Sequence, residues 1–90
     1  MRIWGKIMKH NRMISDYVVE NYEKESRTTK VFAALNELCV HFDLGVPIWL
    51  DSNIKEFQRV DKTRFREDNF IDDIDFDFLE IHVIEEDDTY

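Results

Sequence analysis

Residues 28–47, TTKVFAALNELCVHFDLGVP, decide the fold, because their apolar side chains recur with the period of a helix. The apolar positions are Val31, Phe32, Leu35, Leu38, Cys39 and Phe42. At about 100° per residue they fall within roughly 120° of the helical wheel, which predicts a long amphipathic helix. We expect Thr28 or Thr29 to cap its N-terminus, and Gly45 to end it ahead of Pro47.

The helix needs an apolar surface to pack on, and residues 1–20 are predicted to supply it as a β-hairpin. We place the turn at His10-Asn11, because both residue types are enriched at the positive φ angles that a type I′ turn requires. With strict alternation, the facing pairs are Met8 with Met13, Ile7 with Ile14, Trp4 with Tyr17, and Ile3 with Val18. The aliphatic face should then bury Phe32, Leu35, Cys39 and Phe42 of the helix.

The opposite face of the predicted hairpin carries Trp4, Met8, Met13 and Tyr17. Two interpretations remain open at this point. Another segment of the chain covers these side chains, as is usual for large apolar groups. Alternatively, they form a contact surface for a partner protein or a second copy, since Trp, Tyr and Met are enriched at such surfaces.

The second half of the chain predicts shorter elements. Val46–Leu50 is an apolar run that indicates a strand or a buried extended segment. Asp51 or Ser52 should cap a short helix with Ile54, Phe57 and Val60 on one side. Residues 61–72 are ambiguous. Residues 71–85 predict a strand region whose alternation changes parity at Phe78-Leu79, through a β-bulge or because a central strand is covered on both faces.

Together these elements predict an α+β fold: an N-terminal hairpin, one long amphipathic helix on a small antiparallel sheet, a short second helix and a late C-terminal strand. We expect one domain over residues 1–84. Residues 85–90 are strongly acidic and are expected to form a frayed tail.

Composition excludes several classes of function. The chain has 90 residues, 12 Lys and Arg against 20 Asp and Glu, and a net charge of −8. Such a charge disfavours direct binding to nucleic acid or to an anionic membrane. One Cys allows no internal disulfide, and no apolar run approaches the roughly 18 residues of a membrane span. We therefore expect a cytoplasmic protein.

An acidic face is predicted at Asp73, Asp75 and Asp77, which alternate with apolar residues. On a strand these carboxylates would stand roughly 6.5–7 Å apart, as a row of anions that imitates nucleic acid. A calcium loop of the EF-hand type fails, because Phe78 and Ile84 occupy the places that need Gly and Glu. An irregular cation site is a further alternative.

A basic cluster precedes this acidic stretch and includes Arg59, Arg64 and Arg66. Either the acidic residues neutralise it within the fold, or it contacts an anion, since guanidinium groups suit carboxylate and phosphate. The histidines lack ligand spacing and Cys39 lies in the helical stripe, so no metal site, cofactor or catalytic set is predicted.

Several short motifs resemble those of a family of small bacterial proteins of unknown function. They are Ile3-Trp4-Gly5, the run Pro47–Asp51, Asn53, Glu56, Thr63-Arg64-Phe65, Phe76-Asp77 and Leu79-Glu80-Ile81. The resemblance covers most of the chain. It implies one self-contained domain and carries over no site residue.

Our functional hypothesis from the sequence is a small non-enzymatic protein-interaction module, with Trp4, Met8, Met13 and Tyr17 as the contact. The alternative is an acidic mimic of nucleic acid that occupies a DNA-binding protein. A small enzyme without a recognisable motif is the third hypothesis, and the weakest.

Overall fold

The computed structural model describes residues 1–87 and contains a four-stranded antiparallel sheet with helices on one face. Its elements are β1 (Arg2–Lys9), β2 (Arg12–Glu20), α1 (Arg27–Phe42), α2 (Asp51–Val60), β3 (Lys62–Phe65), a 3-10 turn (Glu67–Asn69) and β4 (Phe78–Glu85). The spatial order is β2-β1-β4-β3, so the late strand β4 lies between β1 and β3. The predicted α+β architecture is confirmed.

The hairpin turn is confirmed at His10-Asn11, whose φ angles are 52° and 63°. Met8 faces Met13 as predicted, but the remaining predicted pairs are wrong. Ile14 is an extra residue in β2, so that Ile7 faces Ser15 and the register shifts by one. This β-bulge turns the rest of β2 over, because successive side chains of a strand point to opposite faces.

The bulge decides which β2 residues reach the core. Val19 instead of Val18 lies opposite Ile3 and is buried, while Ile14 is 56% exposed. Tyr17 therefore lies on the face of the sheet that α1 covers. Its ring stacks on the His41 ring, with 3.9 Å between the ring centroids. Trp4 points to the other face, and its indole Nε1 donates to the Asp16 carboxylate at 2.8 Å.

Helix α1 packs on the face formed by Ile3, Gly5 and Ile7 of β1 together with Leu79 and Ile81 of β4. The buried residues of α1 are Lys30, Val31, Ala34, Leu35, Leu38 and Cys39. Phe42 is half-buried, whereas Phe32 is 49% exposed and meets the Trp49 ring edge-on. Leu35 and Cys39 are therefore buried as predicted, but Phe32 lies at the rim of the core.

Both predicted ends of α1 are corrected. Ser26 caps the N-terminus, since its hydroxyl accepts from the Thr29 N–H at 3.1 Å. Asp43 ends the helix in the left-handed conformation with φ 58°, ahead of Gly45. Ser26 and Asp43 are residue types that favour these positions, so the ends follow ordinary capping chemistry at neighbouring residues.

Gly5 allows the close approach of α1 to the sheet. A Cβ atom built on Gly5 would lie 2.6 Å from Leu38 Cδ2, inside van der Waals contact. We expect Gly5→Ala to lower the free energy of unfolding by about 1–3 kcal/mol, because the overpacked core must shift. Urea titration measures this. Gly45→Ala is the control: its new Cβ would lie 3.5 Å from Asp72 Oδ2, so a loss equal to that of Gly5→Ala would contradict the explanation.

The second half differs in several respects from what the sequence indicates. Of the two forms predicted for residues 46–50, the regular strand is not present, and the extended segment is only partly buried, with Ile48 51% exposed. Its backbone is held by the Ile48 N–H, which donates to the Asn69 carbonyl at 2.7 Å. Helix α2 buries Asn53 and Phe57, leaving Ile54 and Val60 exposed. Asp51 and Ser52 lie inside the helix, one and two residues past its cap position. The parity change at Phe78 arises because β4 begins there, after an irregular segment.

The first three residues of the predicted tail, 85–87, lie within the described structure. Glu85 ends β4, Glu86 pairs with Arg27 at 3.0 Å, and Asp87 pairs with the buried Lys30 at 2.7 Å. The Met1 ammonium also contacts Asp87, at 2.7 Å. Residues 85–87 of the predicted tail therefore contact the rest of the fold, and the remainder of that tail lies outside the described residues. Neither α-helix among residues 1–87 combines the length and the hydrophobicity that a membrane-spanning segment requires.

Candidate anion-binding cavity

The helices leave one face of the sheet uncovered, which we call the open face. Its central residues are Trp4, Lys6 and Met8 of β1, Phe78, Glu80 and His82 of β4, and Lys62 and Arg64 of β3. They alternate with the buried residues beneath α1. Rings, methionine and charged groups of both signs therefore share one surface.

Glu80 is the buried carboxylate at the centre of the open face. Lys6 Nζ lies 2.8 Å from one oxygen and Arg64 Nε lies 2.9 Å from the other. Burial alone raises the pKa of Glu80, but the hydrogen bonds from Lys6 and Arg64 outweigh burial and leave the pKa below 4.5. The carboxylate therefore stays charged and holds both cations in place.

We expect the stability lost in Glu80→Gln to depend on pH. Because the pKa of Glu80 is lower in the folded chain than its ordinary 4.5, the charged group stabilises the fold above that pH. This contribution disappears as pH falls through the lowered pKa. Urea titrations of wild type and variant should therefore differ at pH 6–8, and the difference should shrink as the pH falls below 4.5 through the lowered pKa. Glu37→Gln, at an exposed position of α1, is the control, and a gap that widens in acid would contradict the prediction.

A cavity of about 520 Å³ adjoins the open face, between α2 and the segment containing β3 and the 3-10 turn. We call it the basic cavity. Its charged lining residues are Lys55, Glu56, Arg59, Arg64, Arg66 and Asp68. The structure thus brings together all three residues of the predicted anion contact, Arg59, Arg64 and Arg66. It adds Lys55, which sequence reasoning missed although Lys55 and Arg59 are four residues apart on one helix face.

The cations of the basic cavity are of two kinds. Arg64 is held by Glu80, and its guanidinium lies 4.4 Å from the centre of the Phe78 ring. The side chains of Lys55, Arg59 and Arg66 make no ion pair with any residue of the described range. Arg66 instead lies 5.4 Å from the same Phe78 ring. Neutralisation within the fold therefore accounts for Arg64 alone.

A buried hydrogen-bond network forms the floor of the cavity. Asn53 Nδ2 donates to the Thr63 hydroxyl and to the Arg64 carbonyl, both at 2.9 Å. Asn53 Oδ1 accepts from Asn69 Nδ2 at 2.7 Å and from the Leu50 N–H at 3.1 Å. The network joins α2, β3 and the 3-10 turn, so it fixes the elements that carry the cavity cations relative to one another.

The network also extends to the chain on either side. Asn69 Oδ1 accepts from the Arg66 N–H at 2.9 Å, and Asn69 Nδ2 donates to the Ile48 carbonyl at 2.7 Å. The backbone of Arg66 is thereby held directly. A polar residue in an otherwise amphipathic helix, such as Asn53, is the signal that could have indicated this network in the sequence.

The other predicted site residues are placed differently from expectation. Trp4, Met8 and Met13 lie on the open face, but Tyr17 does not, because the bulge at Ile14 turns it toward α1. The predicted contact is therefore divided between two faces.

The acidic residues Asp73, Asp75 and Asp77 lie before β4 in irregular chain, not along a strand. Asp77 accepts the His10 backbone N–H at 2.9 Å, which ties this segment to the hairpin turn. The evenly spaced row of carboxylates that a nucleic-acid mimic would use is therefore not formed. No group of His, Cys, Asp and Glu within residues 1–87 is arranged to hold a metal ion.

Cys39 lies under α1 against the sheet, and burial raises the pKa of its thiol to about 11. A thiol that is both buried and protonated is a poor nucleophile. His41 of α1 stacks on Tyr17 of the edge strand β2. The arrangement of these residues provides no base for Cys39.

Comparison with protein-family models, curated proteins and solved structures found no match to this chain.

Proposed function

We propose that this protein is a small, non-enzymatic interaction module that binds an acidic segment of a partner protein in the basic cavity. The observation that carries the proposal is the convergence of Lys55, Arg59 and Arg66 on one cavity, where none of the three makes an ion pair within residues 1–87 although Glu56 and Asp68 also line the cavity. The chain has 20 acidic residues against 12 basic ones, so partners for these cations are plentiful in the sequence. An anionic ligand would relieve the repulsion among them.

The adjoining open face extends the contact surface. Arg64 and Arg66 line the cavity and also flank Phe78, so the two surfaces are continuous. Met8 faces Phe78 across β1 and β4. An acidic segment seated in the cavity can therefore place apolar side chains against Phe78 and Met8, which would add contact area to the charge attraction.

The edge of the sheet at β2 favours a different protein over a second copy as the partner. Edge strand β2 is interrupted by the bulge and carries Arg12, Asp16 and Glu20, features that oppose pairing with another strand. We expect sedimentation velocity to show a monomer at every concentration, unchanged in the double variant Trp4→Ala, Tyr17→Ala. A wild-type dimer that this variant dissociates would restore the second copy as the partner.

The test uses a fluorescein-labelled octaglutamate peptide as the acidic segment, followed by fluorescence anisotropy. We expect binding that weakens as salt is added, and a loss of about tenfold or more in Arg59→Glu, Arg66→Glu. The matched control is Arg12→Glu, Lys24→Glu, which changes net charge equally at exposed residues outside the cavity. Equal losses in the two double variants would show that only overall charge matters, and would overturn the proposal.

A further inference from the structure

We propose that the acidic group recognised by the basic cavity is a phosphorylated side chain of the partner protein. This inference rests on the proposed function and names its ligand. The cavity lining holds the cations Lys55, Arg59, Arg64 and Arg66 and the carboxylates Glu56 and Asp68. A phosphomonoester carries a charge of about −1.5 to −2 near neutral pH, so these cations attract it more strongly than they attract a single carboxylate.

The composition of the cationic set also favours phosphate. Three of its four members are arginines, whose planar guanidinium forks can each donate two parallel hydrogen bonds to phosphate oxygens. Arg64 uses Nε for Glu80, so its terminal nitrogens remain available within the described structure. Phosphate has three terminal oxygens, and a carboxylate has two, so phosphate offers more acceptor positions to several forks at once.

The cavity is supported before any ligand arrives. Glu80 and the Phe78 ring fix the Arg64 guanidinium, and the Asn53–Asn69 network fixes the backbone that carries Arg66. Both asparagines are more than nine-tenths buried, with exposed fractions of 5% and 4%. Groups held in place in this way lose little conformational freedom on binding, which raises affinity.

The size of the cavity indicates a ligand larger than a free phosphate ion. Its 520 Å³ lies within the range of about 300–1,000 Å³ found for sites that take whole organic ligands. Phosphate alone would fill a small part of that space. A phosphorylated side chain brings its own stem and neighbouring residues, and these can reach Phe78 on the open face.

The global charge favours a single phosphate over a nucleic acid. With a net charge of −8, the chain as a whole repels an extended polyanion more strongly than it repels a single phosphate group. A compact dianion in the cavity interacts mainly with the charges near it, because salt screens more distant charges and the Debye length is about 8 Å at physiological salt. A phosphoprotein is therefore the partner that these charges fit.

The experiment titrates nitrogen-15-labelled protein with three matched peptides of sequence acetyl-Gly-Gly-X-Gly-Gly-amide, in which X is phosphoserine, glutamate or serine. Chemical shifts of arginine side-chain Nε–H groups and of the backbone report the site. We expect the phosphoserine peptide to bind at least tenfold tighter than the glutamate peptide, with shifts centred on Arg59, Arg64 and Arg66. The serine peptide should not bind.

Arg66→Lys provides a second readout, because it keeps the charge and removes the fork. We expect it to weaken the phosphoserine peptide several-fold and the glutamate peptide by a smaller factor, because a carboxylate offers fewer acceptor oxygens to the fork. Arg12→Lys is the matched control and should change neither peptide. Equal effects of Arg66→Lys on both peptides would contradict phosphate recognition.

The remaining arms separate this inference from the proposed function. Equal affinity for the phosphoserine and glutamate peptides would overturn the inference and leave the proposed function standing. Absence of binding by both those peptides and octaglutamate would overturn both. Inorganic phosphate that binds as tightly as the phosphopeptide would overturn the side-chain ligand in favour of a free anion. Oligothymidylate that binds more tightly, with shifts spreading to Trp4 and Phe78, would overturn it in favour of single-stranded nucleic acid.

Discussion

Asn53→Ala is expected to lower the free energy of unfolding by about 3–5 kcal/mol, a large effect for one truncation in a domain of this size. The amide makes four hydrogen bonds, and its loss removes the acceptor of the Leu50 N–H, one of the two acceptors of Asn69 Nδ2, and the donor to the Thr63 hydroxyl and the Arg64 carbonyl. Each buried polar group left unpaired costs about 1–3 kcal/mol. Urea titration followed by tryptophan fluorescence measures the loss of stability, since Trp49 packs beside Phe57 of α2, the helix that contains Asn53.

The matched control is Asn36→Ala, at an exposed position of α1. It should change stability by no more than about 0.5 kcal/mol, because an exposed amide exchanges its hydrogen bonds with water. Asn53→Asp adds a test of chemistry at constant size. It keeps the acceptors and removes the donors to Thr63 and Arg64, so we expect a loss there as well. Equal stability of Asn53→Ala and Asn36→Ala would show that the network does not stabilise the fold.

Leu35→Ala is the second large effect, with an expected loss of about 2–5 kcal/mol in the same titration. Leu35 is 1% exposed and belongs to the layer of α1 that covers the sheet. Removing its isobutyl group loses apolar burial and leaves a cavity that close-packed neighbours fill only in part.

Two further truncations on α1 locate the core. Val40→Ala serves as the control, since Val40 is 81% exposed and should lose less than about 0.5 kcal/mol. Phe32→Ala should fall between the two, because that ring is half exposed and contacts Trp49. If Phe32→Ala lowered the free energy of unfolding more than Leu35→Ala, Phe32 would be the more deeply buried of the two. That result would contradict the structure.

The parts of the fold that sequence predicted correctly depend on local chemistry. The turn at His10-Asn11 follows from residue types that tolerate positive φ, and α1 follows from apolar spacing over several turns. The bulge at Ile14 was not predictable in this way. One extra residue in a strand is selected by tertiary packing, here the burial of Val19 and the stacking of Tyr17 on His41. Neither contact can be seen from the alternation within β2.

The candidate site shows the same division. Arg59, Arg64 and Arg66 are close in sequence, so their proximity in space was a reasonable expectation. Which of them remains free of a carboxylate depends on Glu80, which faces Arg64 across two strands. The cavity floor depends on Asn53 and Asn69, sixteen positions apart, whose contact requires the turn between α2 and β3. Pairings of this kind are set by topology, which composition and periodicity do not specify.

The position of β4 in the sheet has a consequence for how the chain reaches its native state. Ile3 pairs with Val83 and Ile7 pairs with Leu79, so the central pair of strands joins opposite ends of the described chain. Long-range pairing of this kind slows folding, because a large loop must close before its contacts form. During synthesis, the hairpin of β1 and β2 leaves the ribosome before β4 does, so one edge of β1 has no partner strand until β4 is made. During that interval β1 is open to pairing with other nascent chains, until synthesis of β4 closes the sheet.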